Sequence, residues 1–132
     1  SYMCKKNIEL PHISDAEWRV MEVFWGRESG EATANEVVAA LEGEARWKPK
    51  TVHTLLRRLA GKGALVTRKR GREYVYRQMF TSEESRLAES RTFLNKVFNG
   101  KVAPLVAAFV EREEVTADEI AELKRILEEA RR

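Results

Sequence analysis

The run Trp47-Lys48-Pro49-Lys50-Thr51-Val52-His53-Thr54-Leu55-Leu56-Arg57-Arg58-Leu59-Ala60-Gly61-Lys62-Gly63 carries the clearest structural signal in the chain. Proline is welcome at the first helical position, where its missing N–H costs nothing, and glycine just beyond the last turn. The run therefore predicts a helix opened by Pro49 and closed by Gly63. Val52, Leu55, Leu56 and Leu59 fall at steps of three, one and three and form a single apolar stripe. At about 100° per residue, Lys50, Thr54 and Arg57 occupy the centre of the opposite face, with His53 on one flank and Thr51 and Arg58 on the other. After Gly63 the period shortens to that of strands. Leu65, Val66 and Thr67, a basic tip from Arg68 to Arg72 containing Gly71, and Tyr74, Val75 and Tyr76 predict a hairpin.

Two helices are predicted upstream. Ser14-Asp15-Ala16-Glu17 is a capping box, and Trp18, Met21, Phe24 and Trp25 then mark an apolar, core-facing stripe that runs to Gly26. The polar stretch Gly26 to Glu31 reads as a loop. Thr33-Ala34-Asn35-Glu36 repeats the cap ahead of Val37, Val38 and Leu41, in a short helix ending near Gly43. Three short helices followed by a hairpin, the third helix being basic, is the order of a winged helix-turn-helix.

Downstream, Thr81 to Glu84 caps a helix through Leu87, Leu94, Val97 and Phe98 to a stop at Asn99-Gly100. Pro104 lies near the start of a fifth helix carrying Leu105, Val106, Phe109 and Val110, and Thr116 to Glu119 caps a sixth with Ile120, Leu123, Ile126 and Leu127 on one stripe. Three short amphipathic helices in about fifty residues cannot bury such stripes alone. Leu87, Leu94, Val97, Phe98, Leu105, Phe109, Ile120, Leu123 and Leu127 are therefore expected to close against a second copy, as a homodimer. The expected fold is mainly α with a small β-hairpin wing. Residues 1–80 form the winged helix DNA-binding domain, and residues 81–132 form a helical dimerisation domain.

Charge points the same way. The net +3 over 132 residues hides an asymmetry: residues 1–80 hold 15 Lys/Arg against 10 Asp/Glu, and residues 81–132 hold 9 against 11. Between Arg46 and Arg77 eleven cations, among them Lys62, Arg68 and Lys69, face the single acid Glu73. That is a polyanion footprint, and double-stranded DNA is the expected partner. Lys48, Lys50, Thr51, His53, Thr54, Arg57, Arg58, Arg70 and Arg72 are the candidate DNA-binding residues. The first turns of a recognition helix enter a groove deepest, which puts Lys50, Thr51, His53 and Thr54 at the bases and Arg57 and Arg58 at phosphate. Arg70 and Arg72, on the wing, are expected at the backbone or in the minor groove.

Catalysis finds no support in the residues. His12 and His53 are the only histidines, and no nucleophile triad or glycine-rich phosphate loop is legible. Cys4 is the only cysteine, so neither an internal disulfide nor a thiolate metal cluster is expected, and no cofactor. Met3 would serve as a natural start, and Ser1 and Tyr2 are left out of the fold reading. No apolar run is long enough for a membrane span or a signal peptide, so the expectation is a cytoplasmic protein without stable membrane association. Two other readings remain open at this level: a ligand-responsive winged helix regulator, and a winged helix module that meets an acidic protein.

Ile13-Ser14-Asp15-Ala16-Glu17-Trp18, Trp47-Lys48-Pro49-Lys50-Thr51 with Leu55 and Arg58-Leu59, and Lys62-Gly63 resemble the BlaI/MecI penicillinase repressor family. The resemblance continues through Phe93-Leu94-Asn95-Lys96, Asn99-Gly100 and the segment Leu105 to Glu111, and so covers nearly the whole chain. It implies a dimeric repressor on pseudo-palindromic operators that controls a β-lactam-resistance or cell-envelope stress operon. It also implies relief of repression by a sensor-protease pathway that cuts the dimerisation region. The matching bond is Ala108-Phe109, where the best-known members carry asparagine before the phenylalanine. Lys48 stands in place of a serine helix cap, and His53 in place of arginine or glutamine. The copper-responsive branch ends in cysteine pairs, which this chain lacks.

Overall fold

The computed structural model describes residues 10–44 and 47–132; Cys4 and Arg46 lie outside these. Six helices are described: α1 (Asp15–Trp25), α2 (Ala34–Leu41), α3 (Pro49–Lys62), α4 (Ser82–Phe98), α5 (Val102–Glu111) and α6 (Ala117–Ala130). With them are three strands, β1 (Glu31–Thr33), β2 (Leu65–Arg70) and β3 (Glu73–Gln78). The capping boxes read from the sequence set the helix starts. Glu17 N–H donates to Ser14 Oγ at 3.2 Å and Ser14 N–H returns to Glu17 Oε1 at 2.8 Å. Thr33 and Glu36, Thr81 and Glu84, and Thr116 and Glu119 repeat the reciprocal pair. Each box satisfies two amides that a helix start would otherwise leave open. Pro49 opens α3, and Gly63 closes it in the left-handed region at φ 86°.

One element was absent from the sequence reading. Glu31, given to a loop, begins β1, which pairs antiparallel with β3 through Glu31↔Arg77, Ala32↔Tyr76 and Thr33↔Val75. The sheet order is β1-β3-β2, so the hairpin is the outer part of a three-stranded sheet. Three residues are too few to display an alternation, and their partner lies more than forty positions away; hence the local pattern was silent. The β2–β3 register ends on Arg70↔Glu73 around Gly71-Arg72. Gly71 has φ 65° while Arg72 is not among the residues of positive φ, the pattern of a type II′ hairpin.

The chain falls into two compact units, Ser1–Glu89 and Ser90–Arg132, with the division inside α4. In the first, Val20, Met21 and Phe24 of α1, Val37 and Leu41 of α2, Val52, Leu55, Leu56 and Leu59 of α3, and Ala32 and Leu65 of the sheet make one core. Each such large side chain contributes about 1.5–3 kcal/mol by leaving water. Trp18 and Trp25 pack edge to face at 4.9 Å beside it, and the Trp25 indole donates to the Phe80 carbonyl at 3.0 Å. The second unit is different, because no residue from 86 to 132 is buried. Leu87, Val97, Phe109 and Leu127 are exposed, and Leu94, Phe98, Leu105, Ile120 and Leu123 are half-buried. Within that unit Leu105, Val106 and Phe109 of α5 face Leu123 and Ile126 of α6 across an apolar groove of about 460 Å³.

Candidate nucleic-acid interface

The inward stripe of α3 is fully committed to the core, and this fixes what its other face presents. Lys48, Lys50, Thr51, Arg57 and Arg58 are exposed, whereas His53 and Thr54 are half-buried. Lys48 caps α3 through its backbone conformation alone, with no side-chain capping hydrogen bond, and its side chain is exposed with no ion pair among the described residues. Thr54 Oγ1 donates to the Lys50 carbonyl at 3.0 Å, and Arg57 Nη2 reaches the same hydroxyl at 3.5 Å. The Thr54 hydroxyl is thus already engaged within the helix, in the back-bonding to the i−4 carbonyl that helical threonines make.

The eleven-cation footprint divides once the fold is known. Lys62 turns away from the others: its ammonium donates to the His12 carbonyl at 2.9 Å and to the Glu17 carboxylate, tying the end of α3 to the start of α1. Arg68 is paired across the sheet with Glu31 at 3.1 Å. On the wing Arg70 lies 3.7 Å from Glu73, while Lys69 and Arg72 are exposed with no ion pair among the described residues. Besides Arg77 near the end of β3, the described cations of this footprint with no ion pair to Glu17 or Glu31 are those at the start and outer face of α3 and at the tip of the hairpin.

Sequence reasoning missed three residues at this surface. Asn35 of α2 and Tyr74 and Tyr76 of β3 line one cleft with His53 and Arg72. Tyr74 and Tyr76 alternate as strand residues do, but only the pairing of β3 with β1 and β2 decides which helix they approach. Among the described residues no three His, Cys, Asp or Glu side chains are grouped to hold a metal ion, and no helix is long and apolar enough to cross a membrane.

Residues 13–129 match the sequence profile of the family described as penicillinase repressor. The chain belongs to this family. It is 40% identical over 121 residues to the penicillinase repressor of Bacillus licheniformis, covering 92% of this chain and 93% of that protein. It is 36% identical over 115 residues to the methicillin resistance regulatory protein MecI of Staphylococcus aureus, covering 87% and 92%. Among solved structures, the DNA binding domain of the repressor BlaI superposes with a TM-score of 0.51 at 41% identity, over 57% of this chain and 89% of that one. The N-terminal half of this penicillinase repressor family member is therefore a winged helix, with α3 as its third helix and the β2–β3 hairpin as its wing.

Proposed function

We propose that this chain is a cytoplasmic, homodimeric transcriptional repressor that binds double-stranded operator DNA and controls a β-lactam-resistance or cell-envelope stress operon. The observation that carries the reading is the split of α3: Val52, Leu55, Leu56 and Leu59 are buried, while Lys48, Lys50, Thr51, Arg57 and Arg58 stand exposed beside the wing cations Arg70 and Arg72. A helix with such a face enters the major groove, where lysine serves guanine or phosphate and threonine offers a methyl to thymine. Lys50, Thr51 and the Thr54 methyl read bases; Lys48, Arg57, Arg58, Arg70 and Arg72 hold the backbone. Neutralising phosphates releases counterions, so affinity falls steeply with salt.

The C-terminal unit, residues 90–132 together with the exposed end of α4, is the dimerisation element. Its support is the lack of any buried residue from 86 to 132 beside so many apolar side chains. Phe109, 47% exposed in the single chain, is covered in the dimer. A sensor-protease cut at Ala108-Phe109 would sever α6 and this anchor from the DNA-binding head and end repression. Nuclease footprinting of the chain on its own upstream region tests the reading. Two protected half-sites one helical turn apart, or a multiple of it, are expected. Uniform protection without a preferred site would overturn it.

A further inference from the structure

The N-terminal unit contains a cleft that the assignment above leaves without a ligand. Its volume is about 290 Å³, and it opens between the first turn of α2, the flank of α3 and the tip of the wing. Asn35, His53, Arg72, Tyr74 and Tyr76 line it, with Glu73 the one carboxylate among the lining residues. Glu73 is drawn towards Arg70, so its charge is offset from outside the cleft. His53 is half-buried here while Lys50, Thr51, Arg57 and Arg58 on the same helix are exposed, and among the described residues no hydrogen bond or ion pair engages its ring. An amide, two phenols, an imidazole and a guanidinium with no ion pair among the described residues bring polar groups to a cleft whose walls are otherwise largely apolar. Donors of this kind, a guanidinium among them, suit a tetrahedral oxyanion.

Position narrows the ligand further. If α3 lies in a major groove with the wing against the neighbouring strand, the sugar-phosphate backbone passes between them, over this cleft. We propose that the cleft seats one backbone phosphate of the duplex, held by Arg72 and by the imidazolium form of His53, so that operator binding takes up a proton. The inference rests on the assignment of α3 as the groove-entering helix, and it moves His53 from base reading to backbone anchoring.

Several charged and titratable groups surround His53. From β3 and its turn they are Arg72, Glu73, Tyr74 and Tyr76; from its own helix, Lys50 and Arg57. In α2 the nearest acid, Glu36, is held by the Thr33 amide and by Arg27 at 3.1 Å. An ordinary imidazole titrates near about 6.5, and a phosphate within hydrogen-bond reach favours its charged form. The added affinity is therefore complete below the free ring's value and is lost as pH rises through the DNA-bound value.

Fluorescence anisotropy of the full chain on the footprinted duplex, from pH 5.5 to 8.5 at constant ionic strength, tests this. The affinity should fall by up to about tenfold per pH unit across that window. His53→Gln should bind with little pH dependence, keep the wild-type ratio of operator to random DNA, and melt at the wild-type temperature. At pH 6 its slope of log Kobs against log salt should be shallower by about 0.9, and at pH 8 equal to wild type. Arg72→Gln should weaken both duplexes alike. Normal operator preference with pH-independent wild-type binding, or a His53→Gln chain that loses selectivity, would overturn the phosphate seat alone. Absence of operator preference at every pH would instead overturn the assignment of α3. Inorganic phosphate added without DNA separates a free anion from the duplex. A shift of the His53 ring resonances by phosphate, with pH-independent operator binding, would give the cleft to a soluble phosphate and reject the backbone.

Discussion

Glu17 is 2% exposed, and its carboxylate is shared between the Ser14 amide in its own helix and the Lys62 ammonium at the far end of α3. Burial pushes its pKa up, but the bonds from Lys62 and Ser14 outweigh this and hold it below the usual carboxylate range. A carboxylate depressed in the folded state contributes stability that is fully present above its unfolded value, near about 4.3, and is lost as pH falls through the folded value. Thermal melts from pH 7 to pH 3 should therefore show a loss beginning below that point. Lys62→Met should cost about 1–3 kcal/mol at neutral pH and shrink the loss on acidification, because the carboxylate keeps its burial without its partner and its folded-state pKa rises toward the unfolded value or past it. An unchanged melting profile would show that the pair contributes nothing. The capping role of Glu17 was legible in Ser14-Asp15-Ala16-Glu17, but the role of Lys62 was not, since a lysine in a cationic run carries no sign of which way it turns. The same limit applied to Thr54, whose hydroxyl is spent on Lys50. Lys50→Ala should reduce discrimination between operator and random DNA by about 1–3 kcal/mol, and Thr54→Ala by less. Equal losses on both duplexes would place Lys50 at phosphate.

At the scale of elements, the boundaries were legible wherever a chemical signal marks them. The four capping boxes, Pro49 and Gly63 all announce an edge in one or two residues. β1 announces nothing, because its pairing with β3 depends on two segments meeting in space. Glycines separate these cases experimentally. Gly63 takes φ 86° with nothing within 4 Å of where a Cβ would stand, so Gly63→Ala meets only conformational cost, about 1–2 kcal/mol. Gly30 takes φ 68° and its Cβ would also stand 3.1 Å from the Gln78 side chain, at the point where the Gln78 amide donates to the Gly30 carbonyl. Gly30→Ala should therefore cost more than Gly63→Ala in chemical denaturation. The reverse order would mean that the β1–β3 junction yields to the added carbon easily.

At the scale of the whole molecule, the two units differ in what they can do alone. The first has a closed core and the second has none, so a fragment ending at Glu89 should fold and remain monomeric. A cut after Gln78 would discard the Phe80 carbonyl that holds Trp25. Sedimentation of the 1–89 fragment beside the full chain checks both halves of the argument, and a dimeric fragment would put the interface elsewhere. The strand order β1-β3-β2 has one more consequence, for solubility. It leaves β2 at the rim of the sheet, with backbone groups open to any other strand that can reach them. Every residue from Val66 to Arg70 is exposed, and three of the five are Arg68, Lys69 and Arg70. Two sheets meeting rim to rim would press these cations together, so they act as gatekeepers against self-pairing. Replacing all three with threonine should leave the melting temperature of dilute protein nearly unchanged while lowering the concentration at which light scattering first rises.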